Sequence, residues 1–151
     1  MRVLHLYRPR LPGLRAQAMR LLDSPRSREG VRNMFSDIYR LHALDQLSKD
    51  PTLFEHMSPE VGPAAREETL LGIEHIVFDL EGDFREVYTT RTTFLNRKLA
   101  SIYNVRAPTR EGFGQAELPQ DESRSGLMGQ VSMLALAAHP VSSSATLRGA
   151  Y

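Results

Sequence analysis

One stretch of the sequence holds a cluster of potentially reactive side chains: Glu67, Glu68, Glu74 and His75. Its apolar residues recur at helical spacing, so the cluster is predicted to lie on a helix. Glu68 and His75 then share one flank, which suits a carboxylate–imidazole contact or half of a metal site, and a solvated helix edge is the alternative. A di-iron bundle needs Glu and His three residues apart. Gly72 stands at that position before His75, so this motif is absent.

Glu67 and Glu74 fall inside the apolar arc of the predicted helix. A carboxylate facing a core must be paired or have a raised pKa. Because the chain is rich in arginine, which forms bidentate pairs with carboxylates, a structural Glu–Arg pair is the first interpretation. A catalytic acid and an imprecise helix phase are the alternatives. We expect Arg148 to pair with Glu74 or with Glu68.

Two other histidines are candidates for a role in binding. His42 lies on the apolar stripe of its predicted helix, with Asp45 about one turn further on, which predicts an imidazole at the core edge that is bonded to this carboxylate. His139 precedes Pro140 at the end of another predicted helix, where the helix dipole favours an imidazolium. Ligation of a metal or a haem by His139 is the alternative.

Residue types exclude several other chemistries. The sequence has no cysteine, which excludes a disulfide scaffold, a thiolate zinc site, an iron–sulfur cluster and covalently attached haem within this chain. Gly112-x-Gly114 lacks the third glycine of a dinucleotide-binding loop, and there is no Gly-x-Ser-x-Gly motif. The serine run 142–144 is typical of a solvated loop. We therefore expect no cofactor and no metal in this chain.

Charge and hydropathy limit the partners. The net charge of +1 argues against a surface built for nucleic acid, and the arginine-rich start favours an acidic partner within the same polypeptide. No apolar run approaches the ~20 residues of a membrane span. The first seven residues contain no export signal, because such a signal needs a long apolar run. Either the protein is cytoplasmic or Met1 is not its natural start.

The elements that must position these side chains are predicted to be helices. Apolar periodicity and breaking residues delimit them at 14–22, 25–44, 59–79, 95–103 and 126–138. Ser24-Pro25 and Ser58-Pro59 are typical of helix starts, and Thr92 or Thr93 is expected to cap the fourth helix.

Between these helices the sequence predicts irregular structure. Residues 84–88 form a helical turn, residues 104–125 form a surface loop, and no strand is predicted. The expected fold is mainly α, a small irregular helical domain of about five helices with long loops and no substantial sheet.

Several short motifs together resemble two adjoining bacterial domains of unknown function, numbered fifteen ninety-two and fifteen eighty-eight. In the first domain the resembling positions are Glu68-Thr69, Glu74-His75, Thr93-Phe94-x-Asn96, Leu99-Ala100 and Tyr103. In the second they are Gly126-Leu127, Leu134, His139-Pro140, Ser144 and Arg148-Gly149. We therefore expect a basic helical segment (1–22), a domain that resembles the first family (23–104), a loop (105–125) and the start of a domain that resembles the second family (126–151).

The resemblance also implies a context. Such domains occur in large exported or periplasmic proteins that carry a cytochrome-c-type haem domain, so haem c is expected in the full-length parent and the chain is expected to be an internal fragment. The function implied is a helical scaffold or interaction module whose partners are the remaining domains of the parent.

Two alternatives remain. One is a catalytic domain of an extracellular polymer-degrading hydrolase or oxidoreductase, in which Glu68, His75 and His139 would converge in a cleft. The other is a small cytoplasmic helical regulator.

Overall fold

Helices dominate the chain in the computed structural model, which describes residues 11–120, 124–142 and 144. The α-helices are α1 (Leu11–Leu22), α2 (Ser27–Ile38), α3 (Val61–Glu74), α4 (Arg97–Ile102) and α5 (Val131–Leu136). Tighter 3-10 turns cover Leu41–Gln46, Phe84–Tyr88 and Leu127–Gly129, and a π-helical turn covers His75–Asp79. The mainly α prediction is confirmed.

α3 is the central helix, and it packs against α2, α4 and α5. Its buried face includes Val61, Ala65, Leu70 and Ile73. The helix passes directly into the π turn that ends at Asp79, so the prediction of one long helix over 59–79 is close to the observed extent. Because several elements pack around this face, α3 holds the buried side chains of the candidate functional site in place.

The predicted helix over 25–44 is wrong in its second half. α2 ends at Ile38, and Arg40 adopts a left-handed backbone with φ 52°. The chain resumes as the 3-10 turn that buries Leu41 and Leu44 completely. Within α2, Phe35 is buried whereas Met34 and Ile38 are exposed, so the apolar stripe predicted for this helix is only partly buried.

The two helix starts predicted from Ser-Pro are also two residues too early. α2 begins at Ser27 and α3 at Val61, and neither has a side-chain cap. The Ser24 carbonyl accepts from the Ser27 amide at 2.9 Å, and the Ser58 carbonyl accepts from the Val61 amide at 3.0 Å. Each Ser-Pro pair therefore forms a turn that leads into its helix rather than the cap itself.

A small antiparallel sheet was not predicted. Strand β1 (Thr92–Leu95) pairs with β2 (Gly114–Glu117), with Thr93 opposite Ala116. Alternation buries Thr93 and Leu95, but four residues are too few for that period to be recognised in the sequence. The prediction that Thr92 or Thr93 caps the next helix is wrong, because the Asn96 side chain accepts from the Leu99 amide at 3.0 Å.

The last predicted helix, over 126–138, is divided. Leu127–Gly129 is a 3-10 turn, and α5 covers only Val131–Leu136. Gly126 starts this segment with φ 58°, and a Cβ at this position would lie 2.0 Å from the Tyr88 carbonyl oxygen. The predicted loop 104–125 likewise contains β2.

The first helix, α1, confirms the prediction for 14–22 and extends it toward the N-terminus. Its apolar side chains Leu14, Met19 and Leu21 are exposed. Among the described residues, no helix is both long and apolar enough to cross a membrane.

Candidate functional site

Glu68 is a fully buried acid in the centre of the fold. It lies three and four residues after Ala65 and Ala64, which are buried on the same face of α3. The interpretation of Glu68 as part of a solvated helix edge is therefore wrong. The sequence placed Glu67 inside the apolar arc, but part of the Glu67 side chain is in solvent. The predicted apolar arc was therefore displaced by one residue along the helix.

Two hydroxyl groups solvate the Glu68 carboxylate. Thr93 Oγ1 on β1 and the Tyr103 hydroxyl, just after α4, each donate to Glu68 Oε1 at 2.7 Å. The Tyr103 hydroxyl also accepts from the Val131 amide at 3.0 Å, at the start of α5. Glu68 Oε2 is buried and has no hydrogen-bond partner. Through this carboxylate α3 is joined to β1, α4 and α5, and we call Glu68, Thr93, Tyr103 and Val131 the core network.

Burial is the main influence on the acid of the core network. Desolvation raises the pKa of Glu68 to about 7, against the opposing effects of the Thr93 and Tyr103 hydrogen bonds and of the nearby Arg124 charge. The Arg124 guanidinium lies over the Tyr103 ring, 5.0 Å from its centroid. Its Nη1 is buried and has no hydrogen-bond partner. Burial also raises the pKa of the Tyr103 phenol, which keeps that hydroxyl a donor.

A second buried polar contact lies one residue further along α3. The Thr69 hydroxyl is 2.8 Å from Gln130 Oε1 and 2.6 Å from Ser132 Oγ. All three side chains are buried. Thr69 therefore binds the segment that starts α5 directly, and its neighbour Glu68 does so through the Tyr103 hydroxyl. A buried network of this kind fixes one relative arrangement of the helices.

Glu67 and Glu74 pair with arginine, as the sequence indicated. Arg32 on α2 donates to Glu74 Oε1 at 2.9 Å and also to Glu67 Oε2. Arg28 adds a bond to Asp79 at 2.6 Å. The expected partner Arg148 lies outside the described residues. The observed pairs join α2 to one edge of α3, which is a structural role.

The histidine candidates are separated from Glu68 and from one another. His75 Nδ1 lies 3.2 Å from Asp79 Oδ2, and its ring packs edge-on against Phe94. His139 is exposed beyond α5, and its carbonyl accepts from Lys49. Hydrogen bonds in the described parts of the chain bring no two of Glu68, His75 and His139 together. In those same parts, no group of three or more His, Asp or Glu side chains could hold a metal.

The expected partner of His42 is wrong. His42 Nε2 is 3.4 Å from Asp37 Oδ1, and the imidazole is exposed. Asp45 accepts instead from Arg66 at 3.1 Å. Asp45 still lies one turn beyond His42 within the 3-10 turn, so the contact with Arg66 of α3 decides its partner.

An open cavity of about 610 Å³ lies beside the core network, between the 49–57 segment and α5. We call it the apolar cleft. Its lining is mostly apolar, with Leu53, Phe54, Ile102 and Leu134 among the contributors, and Arg124 contributes a cation to the wall. Sequence reasoning did not find this cleft. Tyr103 stood in the resemblance motifs, but nothing in the sequence marked Arg124.

A family model supplies the identification. The model for PSD4, described as a protein of unknown function (DUF1592), matches residues 10–105. This range is more than half of the chain. The chain belongs to the DUF1592 family. No curated protein and no solved structure matches it.

The DUF1592 match divides the site. Glu68, Thr93 and Tyr103 of the core network lie inside the matched range, whereas Arg124 and Val131 follow it. The family segment thus contributes the buried acid and its two hydroxyl donors, and the segment beyond it supplies the amide that bonds to Tyr103 and one wall of the apolar cleft.

Proposed function

We propose that the chain is an interaction module whose apolar cleft binds an acidic, amphipathic segment of a partner protein. The observation that carries the proposal is the cleft itself, a preformed apolar concavity with cationic side chains in its wall. Amphipathic segments commonly dock by laying an apolar face into such a groove.

The walls of the cleft are fixed by contacts between segments distant in sequence. Lys49 Nζ donates to the carbonyls of Ala138 and His139, each at 2.9 Å. The Asp50 amide donates to the Pro140 carbonyl at 3.2 Å. These bonds tie the 49–57 segment to the end of α5, so binding need not first order the cleft.

Charge selects the partner. Arg124 and Lys49 line the cleft, and Glu55 is the acid in its lining. Among the described residues, Arg124 forms no ion pair with a carboxylate, and its side chain lines the cleft. A partner segment that carries carboxylates beside its apolar side chains therefore complements the wall better than a basic one.

The geometry favours this function over catalysis. The Glu68 side chain is fully buried and does not line the cleft, so a substrate in the cleft has no direct contact with the carboxylate. The catalytic alternative also required His75 and His139 to join Glu68, and their described contacts are with other groups.

Titration with labelled peptides tests the cleft. We expect an amphipathic helical peptide of Leu and Glu to bind the full chain in fluorescence anisotropy, and the same peptide with Lys for Glu to bind at least about tenfold more weakly. Leu53→Ala should weaken binding about fivefold, because it removes apolar surface from the cleft. Leu80→Ala is the matched control, since Leu80 is about as exposed (55% against 59%) and lies outside the cleft lining.

Three results would contradict the docking proposal. They are equal affinities for the acidic and basic peptides, an equal loss in Leu80→Ala, and binding of the small apolar anion 1-anilinonaphthalene-8-sulfonate without binding of the acidic peptide. The last result would make the cleft a small-molecule site.

We also propose that the module serves an exported bacterial protein with a cytochrome-c-type haem domain, a context that the resemblance of the sequence supports. The natural reading frame is expected to encode an export signal and a Cys-x-x-Cys-His site on the same polypeptide. The full-length product should then stain for covalent haem, because thioether attachment survives denaturing electrophoresis. A complete reading frame without such a site would overturn this part of the proposal.

A further inference from the structure

A second concave surface lies away from the apolar cleft and is strongly basic. It measures about 680 Å³ and lies between the start of α4 and the loop that precedes β2. Arg97, Arg106 and Arg110 line it, together with one acid, Glu111. We call it the basic pocket. Its lining shares no residue with that of the apolar cleft.

Among the described residues, the arginines of the basic pocket have no counterions. Elsewhere in the described structure Arg28, Arg32, Arg66 and Arg85 each form an ion pair with an acid. Within those described residues, Arg97, Arg106 and Arg110 form none, and neither does Glu111. Three cations and one anion leave the pocket with a charge of about +2 at neutral pH.

The loop that carries two of these arginines is held in place. Val105 and Ala107 pack against the core, and the Val105 amide donates to the Ala100 carbonyl at 3.0 Å. At the other end, Gly114 of β2 approaches the loop so closely that a Cβ there would lie 2.7 Å from Thr109 Cγ2. The fold therefore keeps three cationic side chains around one concavity, and an anion bound between them would lower their mutual repulsion.

We propose that the basic pocket binds a tetrahedral dianion, the phosphate group of a small monoester. Guanidinium groups offer paired N–H donors that match the oxygens of such a group. A dianion neutralises the excess charge, whereas a carboxylate supplies half of it. The volume exceeds that of the anion alone, so an organic remainder fits beside it. This inference is independent of the function proposed for the apolar cleft.

Calorimetric titration of the full chain tests the proposal. At constant ionic strength we expect phenyl phosphate, inorganic phosphate or sulfate to bind, and the tetrahedral monoanion methanesulfonate to bind about tenfold more weakly. If phenyl phosphate binds more tightly than inorganic phosphate, the natural ligand is a phosphate ester. If inorganic phosphate binds more tightly, the natural ligand is free phosphate. Either order supports a dianion site. No binding of any dianion, or equal binding of the monoanion, overturns it.

Single charge removals locate the site. Arg106→Gln and Arg110→Gln should each weaken phosphate binding about tenfold, because each removes a charge-assisted contact. Both side chains are exposed, so the variants should fold, and an unchanged circular dichroism melt verifies this. Arg15→Gln is the matched control, since Arg15 is an exposed arginine on α1 outside the pocket. Equal losses in the control, or unchanged affinity in both pocket variants, overturn the assignment.

Discussion

Gly62→Ala is expected to lower the free energy of unfolding by about 3 kcal/mol, although alanine is the better helix former. Gly62 lies in the first turn of α3, where the helix crosses the 3-10 turn that contains Leu44. A Cβ at this position would lie 1.9 Å from the Leu44 carbonyl oxygen and 3.2 Å from Leu47 Cβ. The nearest obstacle is backbone, so α3 itself would have to move and the packing of its buried face would be lost.

Gly30→Ala is the matched control for this prediction. Gly30 lies within α2 and is exposed, and a Cβ there meets nothing within 4 Å. The same substitution should therefore raise stability by up to about 1 kcal/mol through helix propensity. Urea denaturation of the two variants gives the comparison. A stabilised Gly62→Ala variant would contradict the close approach of α3 to Leu44.

The second large effect concerns the pH dependence of stability and the buried acid of the core network. The pKa of Glu68 is raised by burial from its ordinary 4.5 to about 7 in the folded protein. Between these values the folded state keeps a proton that the unfolded state has lost. The free energy of unfolding therefore falls as the pH rises through this window, by about 3 kcal/mol from this group. The stability that Glu68 contributes through its retained proton is fully present below pH 4.5 and is lost above about pH 7.

Glu68→Gln should remove this dependence, because an amide does not titrate. Urea denaturation at pH 5 and pH 8 should show a fall in stability for the natural protein that exceeds the fall for the variant by about 2 kcal/mol, because part of the effect is already lost at pH 5. Asp50, Asp79 and Asp83 have lowered pKa values, so they titrate below this window.

Glu86→Gln is the control for the acid, since Glu86 is exposed. Its stability should stay within about 0.5 kcal/mol of the natural protein at both pH values. If Glu68→Gln and the natural protein lose the same stability between pH 5 and pH 8, Glu68 is ionised throughout this range, and the prediction of a raised pKa is wrong.

Local sequence determined the helical character of the chain, because helix formation depends on spacing within a few turns. The periodicity over 59–79 indicated the central helix, and the observed α3 and the π turn after it cover nearly that range. The same information indicated that Glu67 and Glu74 need arginine partners, since a carboxylate beside apolar residues must be paired. The absence of cysteine excluded whole classes of site without any structure.

Tertiary structure decided which residues meet, because those contacts join segments far apart in the chain. Arg32 pairs with Glu74 across 42 positions, and no local pattern distinguishes Arg32 from the other arginines. Glu68 is buried because β1, α4 and α5 pack over its face of α3. A helical wheel drawn from the sequence with an error of one residue places this acid on the surface instead. β1 and β2 are too short to be recognised separately and are stabilised by pairing with each other. The apolar cleft has the same origin, since its walls come from segments that only the folded chain brings together.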